Sequence, residues 1–170
     1  HGEQRDLWFR STPRLDADVD RCFAAALARA IEGRYNHLAR TPRGALALCV
    51  LLDQIPRNCR RGTAGAFAGD ARARRVAAAA LARGFDRRLP AFQRLFLFLP
   101  FEHSESRGDQ GRFIGLLSRR RQADNLKYAV AHRDIIVRFG RFPHRNAVLG
   151  RTDTPEEAAY LRNEHPRFGQ

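Results

Sequence analysis

TPRGALALCVLLDQIPRNCRRG, residues 41–62, is the stretch of sequence that decides the fold class. Thr41 and Pro42 are the typical N-cap and first-turn residues of an α-helix. Apolar residues follow at the three- and four-residue spacing of one helix face, as far as Leu52. We expect this helix to bury its apolar face and to end at Pro56, because proline interrupts the helical hydrogen-bond ladder.

The same helical pattern covers the rest of the chain. Gly140 stands where a helix C-terminus favours a left-handed residue, and residues 154–157, TPEE, are similar to a capping box. No strand-like alternation is found, so the prediction is an all-α fold, an antiparallel stack of about seven to eight helices. Further helices are predicted to begin near Asp16, Asp70, Pro90, Ser104 or Ser106, and Asp124.

Length and composition indicate one folded unit. A chain of 170 residues fits a single helical domain over residues 1–170, with residues 1–6 as a disordered or engineered terminus. No apolar run approaches the ~20 residues that cross a bilayer, so we expect no membrane span and a cytoplasmic protein. Three cysteines without a CxxC pair indicate reduced thiols rather than a disulfide framework or a cysteine zinc site.

The net charge of +13 would suit a nucleic acid, because phosphate binding depends on cation neutralisation. Lys127 is the only lysine, however, and the arginines are spread along nearly every segment instead of forming one basic stripe. Without a nucleic-acid-binding motif, an RNA or DNA partner stays open but unsupported.

Three segments place polar and titratable residues directly beside core-type residues, which predicts a functional centre. They are LLDQIPRNCRRG (51–62), LPFEHSE (99–105) and HRDIIVRFGRFPHRNAVLGR (132–151). In the first, Arg57, Asn58 and Arg61 are candidates for binding an anion, and Asp53 and Gln54 for the structural network that holds them. The alternative is that the three basic and amide side chains cap the free carbonyls of a helix end.

The second segment offers acid–base residues beside an aromatic wall. His103 or Glu105 could act as a general base, since burial shifts the pKa of both residue types. The alternative is structural: Ser104 as an N-cap, and Glu105 as a first-turn acid that the helix dipole favours.

The third segment predicts an anion receptor. If Pro143 opens a helix, the early amides are unsatisfied and favour negative charge. Arg141 and Arg145 flank these amides, and the same positive field would keep His144 neutral and able to accept a proton. The alternative is that Asp53 or Glu105 fills the pocket as an internal anion.

A metal site is a further interpretation of these segments. His103, Glu105, His132 and His144 are suitable ligand types for zinc or iron. They share no short diagnostic spacing, and the many guanidinium groups nearby oppose a dication. His132 also has helical spacing with Ile135 and Ile136, which directs it toward the core. We therefore predict no metal and no cofactor.

Together these segments resemble those of a bacterial family known as domain of unknown function 924. The resemblance extends from about Leu7 to Leu161 and implies a tetratricopeptide-like helical fold, but no established reaction. Glu102 departs from the family pattern, where an apolar residue is common, and adds a negative charge beside His103; Asp153 is a second departure. The matching positions are Asp53, Gln54, Arg57, Asn58, Arg61, Gly62, Pro100, His103, Ser104, Glu105, His132, Arg138, Phe139, Arg141, Pro143, His144, Arg145, Asn146, Gly150 and Arg151.

The leading hypothesis is a pocket for a small anionic molecule, a carboxylate or a phosphate. Proton transfer or hydrolysis would use His144 or His103 as base, with Glu105 orienting it. The alternative is a helical scaffold that binds an acidic peptide or RNA, and the sequence leaves enzymatic activity and oligomeric state open. The predicted ligand-binding residues are Arg57, Asn58, Arg61, His132, Arg138, Arg141, Arg145, Asn146 and Arg151.

Overall fold

The computed structural model describes residues 12–120 and 123–163, and all regular elements within these ranges are helical. The all-α prediction is thereby confirmed, while the tetratricopeptide-like superhelix stays a prediction. The predicted terminus 1–6 lies outside the described residues. The seven helices in these ranges are α1 (Pro13–Ile31), α2 (42–59), α3 (Asp70–Ala82), α4 (Ala91–Glu102), α5 (Arg107–Arg119), α6 (Leu126–Phe139) and α7 (Pro155–Arg162).

Helix α2 is the centre of the fold and packs on α1, α3 and α4. Its residues Leu48 and Leu52 are fully buried and belong to the same hydrophobic cluster as Phe98 and Phe101 of α4. Burying each such side chain contributes about 1.5–3 kcal/mol, so this apolar face is the main source of stability. Further along the chain, α3 also contacts α4, α4 contacts α5 and α5 contacts α6.

Side-chain caps begin several helices where the sequence predicts them. Thr41 caps α2, Ser106 caps α5, and Thr154 forms a complete capping box at the start of α7. The predicted cap at Asp16 is wrong: Thr12 is the N-cap of α1, and Asp16 lies in the first turn, where the helix dipole favours an acid.

The predicted end of α2 at Pro56 is also wrong. The helix runs as α-helix over Pro42–Cys49, as a π turn over Val50–Gln54, and as α-helix again over Ile55–Cys59. Proline lacks the amide hydrogen that an α-helix needs, and the wider π turn before Pro56 lets the helix continue. Asp53 and Arg57 therefore both lie on a rigid helix instead of a loop. Pro100 likewise does not end helix α4, which continues to Glu102.

The chain after α6 differs from the prediction in one respect. Gly140 adopts the expected left-handed conformation, with φ of 72°. Pro143, however, opens two 3-10 turns, Pro143–Arg145 and Ala147–Leu149, and not an α-helix. The Arg145 amide donates to the Phe142 carbonyl, and the Asn146 amide donates in the same way to Pro143. These two amides are therefore not available to an anion.

Gly69, which precedes α3, lies directly against the π turn. A Cβ atom at this position would overlap the Leu52 carbonyl oxygen. Gly69→Ala is expected to lower the free energy of unfolding by about 1–3 kcal/mol, because α3 must move away from α2. Gly111→Ala is the control: nothing lies near its Cβ position on α5, and alanine there should stabilise by about 0.5–1 kcal/mol. Urea denaturation of both variants checks the prediction, and equal effects would contradict it.

Candidate functional site

A buried carboxylate–histidine pair lies at the centre of the three polar segments. The π turn of α2 carries Asp53, which is 1% exposed, and the C-cap of α4 carries His103. Nδ1 of His103 lies 2.8 Å and 3.0 Å from the two Asp53 carboxylate oxygens. A proton on Nδ1 satisfies this contact and leaves Nε2 as the basic nitrogen of the neutral ring. The carboxylate that contacts His103 is thus Asp53, whereas the sequence suggested Glu105.

Asp53 stays ionised in the interior because donors surround it. Burial raises the pKa of its carboxyl, but His103 and Arg57 outweigh burial and hold this pKa well below its usual range. Gln54 also donates to Asp53, at 2.5 Å, so the predicted structural pair is in contact. The pKa of His103 is lowered, because burial outweighs the attraction of Asp53. His103 is therefore neutral at pH 7 and able to accept a proton.

Arg57 joins this pair to helix α3. Its two terminal nitrogens donate to Asp70 at 2.8 Å and 3.0 Å, in the bidentate geometry that suits a guanidinium. The Arg57 Nη1 also donates to the Asp53 backbone oxygen at 2.6 Å and lies 3.3 Å from its carboxylate. Nothing in the sequence marks Asp70 as part of the site, since an acid at a helix start is already explained by the dipole.

Arg145 is a second buried guanidinium in this region. It donates to the His103 backbone oxygen at 3.0 Å. Its guanidinium carbon lies 4.7 Å from the centre of the Phe67 ring and 4.3 Å from that of Phe142. Burial lowers the pKa of Arg145 to about 10, so the side chain remains charged at neutral pH. Cation–π contacts with two rings compensate in part for the lost hydration.

Glu102 and His132 form a neutral pair behind His103. Nδ1 of His132 lies 2.9 Å from the Tyr128 backbone oxygen and 3.4 Å from a Glu102 carboxyl oxygen. Burial, with Asp53 nearby, raises the pKa of Glu102 to about 8. Burial also lowers the pKa of His132 to about 3. At neutral pH both groups are uncharged, which is how the interior accommodates them.

Glu105 belongs to a separate ion pair. Its two carboxylate oxygens each lie 2.9 Å from Arg151, and one also accepts the Phe142 amide. These contacts hold the pKa of Glu105 below its usual value despite its partial burial. Glu105 therefore fixes the start of the Pro143 turn and does not contact His103.

Most of the remaining predicted site residues also contact acidic groups of the chain itself. Arg141 forms a bidentate pair with Glu157, at 2.6 Å and 2.7 Å, and holds the pKa of that carboxyl down to about 2. Arg138 donates to Glu156. The other pairs are Asn146 with Asp153, Ser104 with Asp109, and Asn58 and Arg61 with Asp16.

An open cavity of about 80 Å³ adjoins this network. It lies between the end of α2 and the turns that follow Pro143. Arg57 and Arg61 reach it from the first polar segment, and His144 from the third. The full lining is Arg57, Arg61, Gly62, Ala66, Phe67, His144 and Val148. Phe67 and Val148 carry no polar group, so the sequence offered no signal for them.

The model of a bacterial protein family of unknown function, DUF924, matches residues 1–165. The chain belongs to this family. A solved structure supports the same fold: a protein of unknown function from Agrobacterium tumefaciens is 40% identical, with a TM-score of 0.88. The match covers 94% of this chain and 90% of that one. No curated protein matches the chain significantly.

Two further findings concern the DUF924 chain over residues 12–120 and 123–163. No helix in these ranges is both long enough and apolar enough to cross a bilayer. No group of three or more histidine, cysteine, aspartate or glutamate side chains in them is arranged to hold a metal ion.

Proposed function

We propose that this DUF924 protein binds a small anionic molecule, a carboxylate or a phosphate, in the cavity between α2 and the turns after Pro143. The observation that carries the proposal is that Arg57, Arg61 and His144, from segments far apart in the chain, line one open space. Guanidinium groups bind carboxylate and phosphate through paired charge-assisted hydrogen bonds, and imidazole adds a further donor or acceptor.

The donor capacity at the cavity supports this proposal. Among the described residues, Nε of Arg57 is buried and has no hydrogen-bond acceptor. The Arg61 side chain is 33% exposed. Arg57 and Arg61 also bind carboxylates of the chain, Asp70 and Asp16, so an anion would share their guanidinium groups with these acids. Arg138, Arg141 and Arg151 bind carboxylates of the chain and do not line this cavity.

The proposal extends to proton transfer or hydrolysis of the bound molecule. His103 is one candidate base, because Asp53 fixes its orientation and its tautomer, but it is not part of the cavity lining. His144 is the candidate base in the cavity lining itself. Arg57 links the two, since it contacts Asp53 and also lines the cavity. If such a reaction exists, Asp53→Asn should reduce its rate more than it reduces anion affinity.

Arg61→Gln is expected to weaken binding of inorganic phosphate or succinate by about tenfold or more, because a hydrogen bond to a charged group contributes about 1.5–3 kcal/mol. Isothermal titration calorimetry measures this affinity. Arg60→Gln is a matched control: Arg60 also pairs with an aspartate of α1, at 2.9 Å, but does not line the cavity. Equal weakening by both variants would show a general effect of positive charge and would contradict the proposal.

The same titrations should include a single-stranded RNA at several salt concentrations. Binding that falls steeply with salt, together with no binding of phosphate or succinate, would replace the proposal with the helical scaffold that binds acidic partners.

A further inference from the structure

We infer that the molecule bound in this cavity is amphipathic, with one anionic group and a short apolar body. This inference rests on the proposed function and specifies its ligand. Its basis is the division of the lining between three polar side chains, Arg57, Arg61 and His144, and three apolar ones, Ala66, Phe67 and Val148.

The apolar part of the lining is held firmly in place. Ala66 is buried, and Phe67 is half-buried at the end of the 3-10 turn Ala64–Phe67. The guanidinium groups of Arg57 and Arg145 lie 5.7 Å and 4.7 Å from the centre of the Phe67 ring. These cation–π contacts restrain the ring, so the wall is already formed before a ligand arrives.

An inorganic anion would use only half of such a lining. Phosphate can contact the arginines, but it leaves the apolar wall hydrated. A ligand with methylene groups beside its anionic end would displace that water, and each buried methylene should increase affinity roughly fourfold. A second charge at the far end would lose its hydration against the apolar wall without a compensating partner.

The size of the cavity limits the apolar body. The cavity volume of about 80 Å³ is far below the range for sites that bind drug-sized molecules. The ligand is therefore a small monoanion with a body of a few carbon atoms, and not a dinucleotide or a long-chain lipid. Acetate, butyrate and hexanoate form a probe series of this kind.

Calorimetric titration of the full chain with this series tests the inference. Affinity is expected to rise roughly fourfold per methylene from acetate to butyrate and to level off once the cavity is full. Hexanoate should bind more tightly than adipate, which has the same length but a second charge. The rise should be smaller in Val148→Ser, because a hydroxyl enters the apolar wall. Val137→Ser is the matched control, since Val137 is half exposed on α6 and does not line the cavity.

The outcomes separate the inference from the proposed function. Phosphate and acetate binding that depends on Arg61 but does not increase with chain length would overturn the inference and leave the proposed function standing. A chain-length increase that Arg61→Gln does not affect would place the apolar binding elsewhere and also overturn the inference. Absence of binding by every probe would overturn both. The series on the unmodified chain decides these cases even if Val148→Ser fails to fold.

Discussion

Replacing Arg57 with leucine is expected to lower the free energy of unfolding by about 3–5 kcal/mol at pH 7. The side chain contacts two carboxylates, those of Asp53 and Asp70, and Asp53 is 1% exposed. Without Arg57, the buried Asp53 charge would keep only His103 and Gln54 as partners, and Asp70 would lose its bidentate partner. Urea denaturation measures the loss.

Arg60→Leu serves as the control for this experiment. Arg60 is 45% exposed and pairs with Asp20 at the surface, where an ion pair contributes about 0–1 kcal/mol. The double variant Arg57→Leu, Asp53→Asn should recover part of the loss, because it removes the buried charge that lacks compensation. A loss below about 1 kcal/mol for Arg57→Leu would mean that the network does not depend on this guanidinium.

Glu102 is expected to make the protein less stable as the pH rises from about 4.5 to about 8. Its pKa is raised from 4.5 to about 8 in the folded state, so the folded chain retains a proton that the unfolded chain releases within this window. Stability therefore decreases by about 1.4 kcal/mol per pH unit from this group, in total about 4 kcal/mol. Glu102→Gln should remove this decrease, which makes the variant more stable than the original at pH 8.

His132 has the opposite effect on the pH dependence of stability, over a lower pH range. Its pKa is lowered from 6.5 to about 3, so the unfolded chain binds a proton between these values that the folded chain does not. The His132 contribution to stability thus rises with pH through this window and is complete above about 6.5. The two effects oppose each other between about pH 4.5 and 6.5, so chemical denaturation from pH 4 to 9 should show a net loss of stability mainly above about pH 6.5. Glu156→Gln, at an exposed glutamate, is the control. Parallel profiles of stability against pH for the original chain and Glu102→Gln would refute the prediction.

Helix starts could be predicted from the sequence because their signals are local. A threonine or serine cap acts within one turn, so Thr41, Ser106 and Thr154 are identifiable without the rest of the fold. Pro56 misled the prediction for the same reason. Local rules place a helix end near a proline, whereas burial of Leu52 and its neighbours against α3 and α4 stabilises the π turn that accommodates Pro56.

The candidate site was predictable in composition but not in its pairing. Apolar residues followed by arginine and histidine indicate that such groups lie near the core. Which carboxylate meets which base depends on how the helices pack, and the sequence gives no distance between Asp53 and His103, fifty positions apart. Phe67 and Val148 were missed because an apolar residue of a cavity wall has no feature that separates it from the core.

The π turn in α2 has a consequence for how this chain tolerates insertions and deletions. A π turn contains one residue more than an α turn, and removal of one residue between Val50 and Gln54 would leave a regular helix. Each residue of an α-helix advances the direction of its side chain by about 100°, so Arg57 would then project to a different side of the helix. A shortened chain of this kind would keep the contacts of Pro42–Cys49 with α3 and α4 but rotate the segment that packs on α1, and it would separate the guanidinium from Asp70.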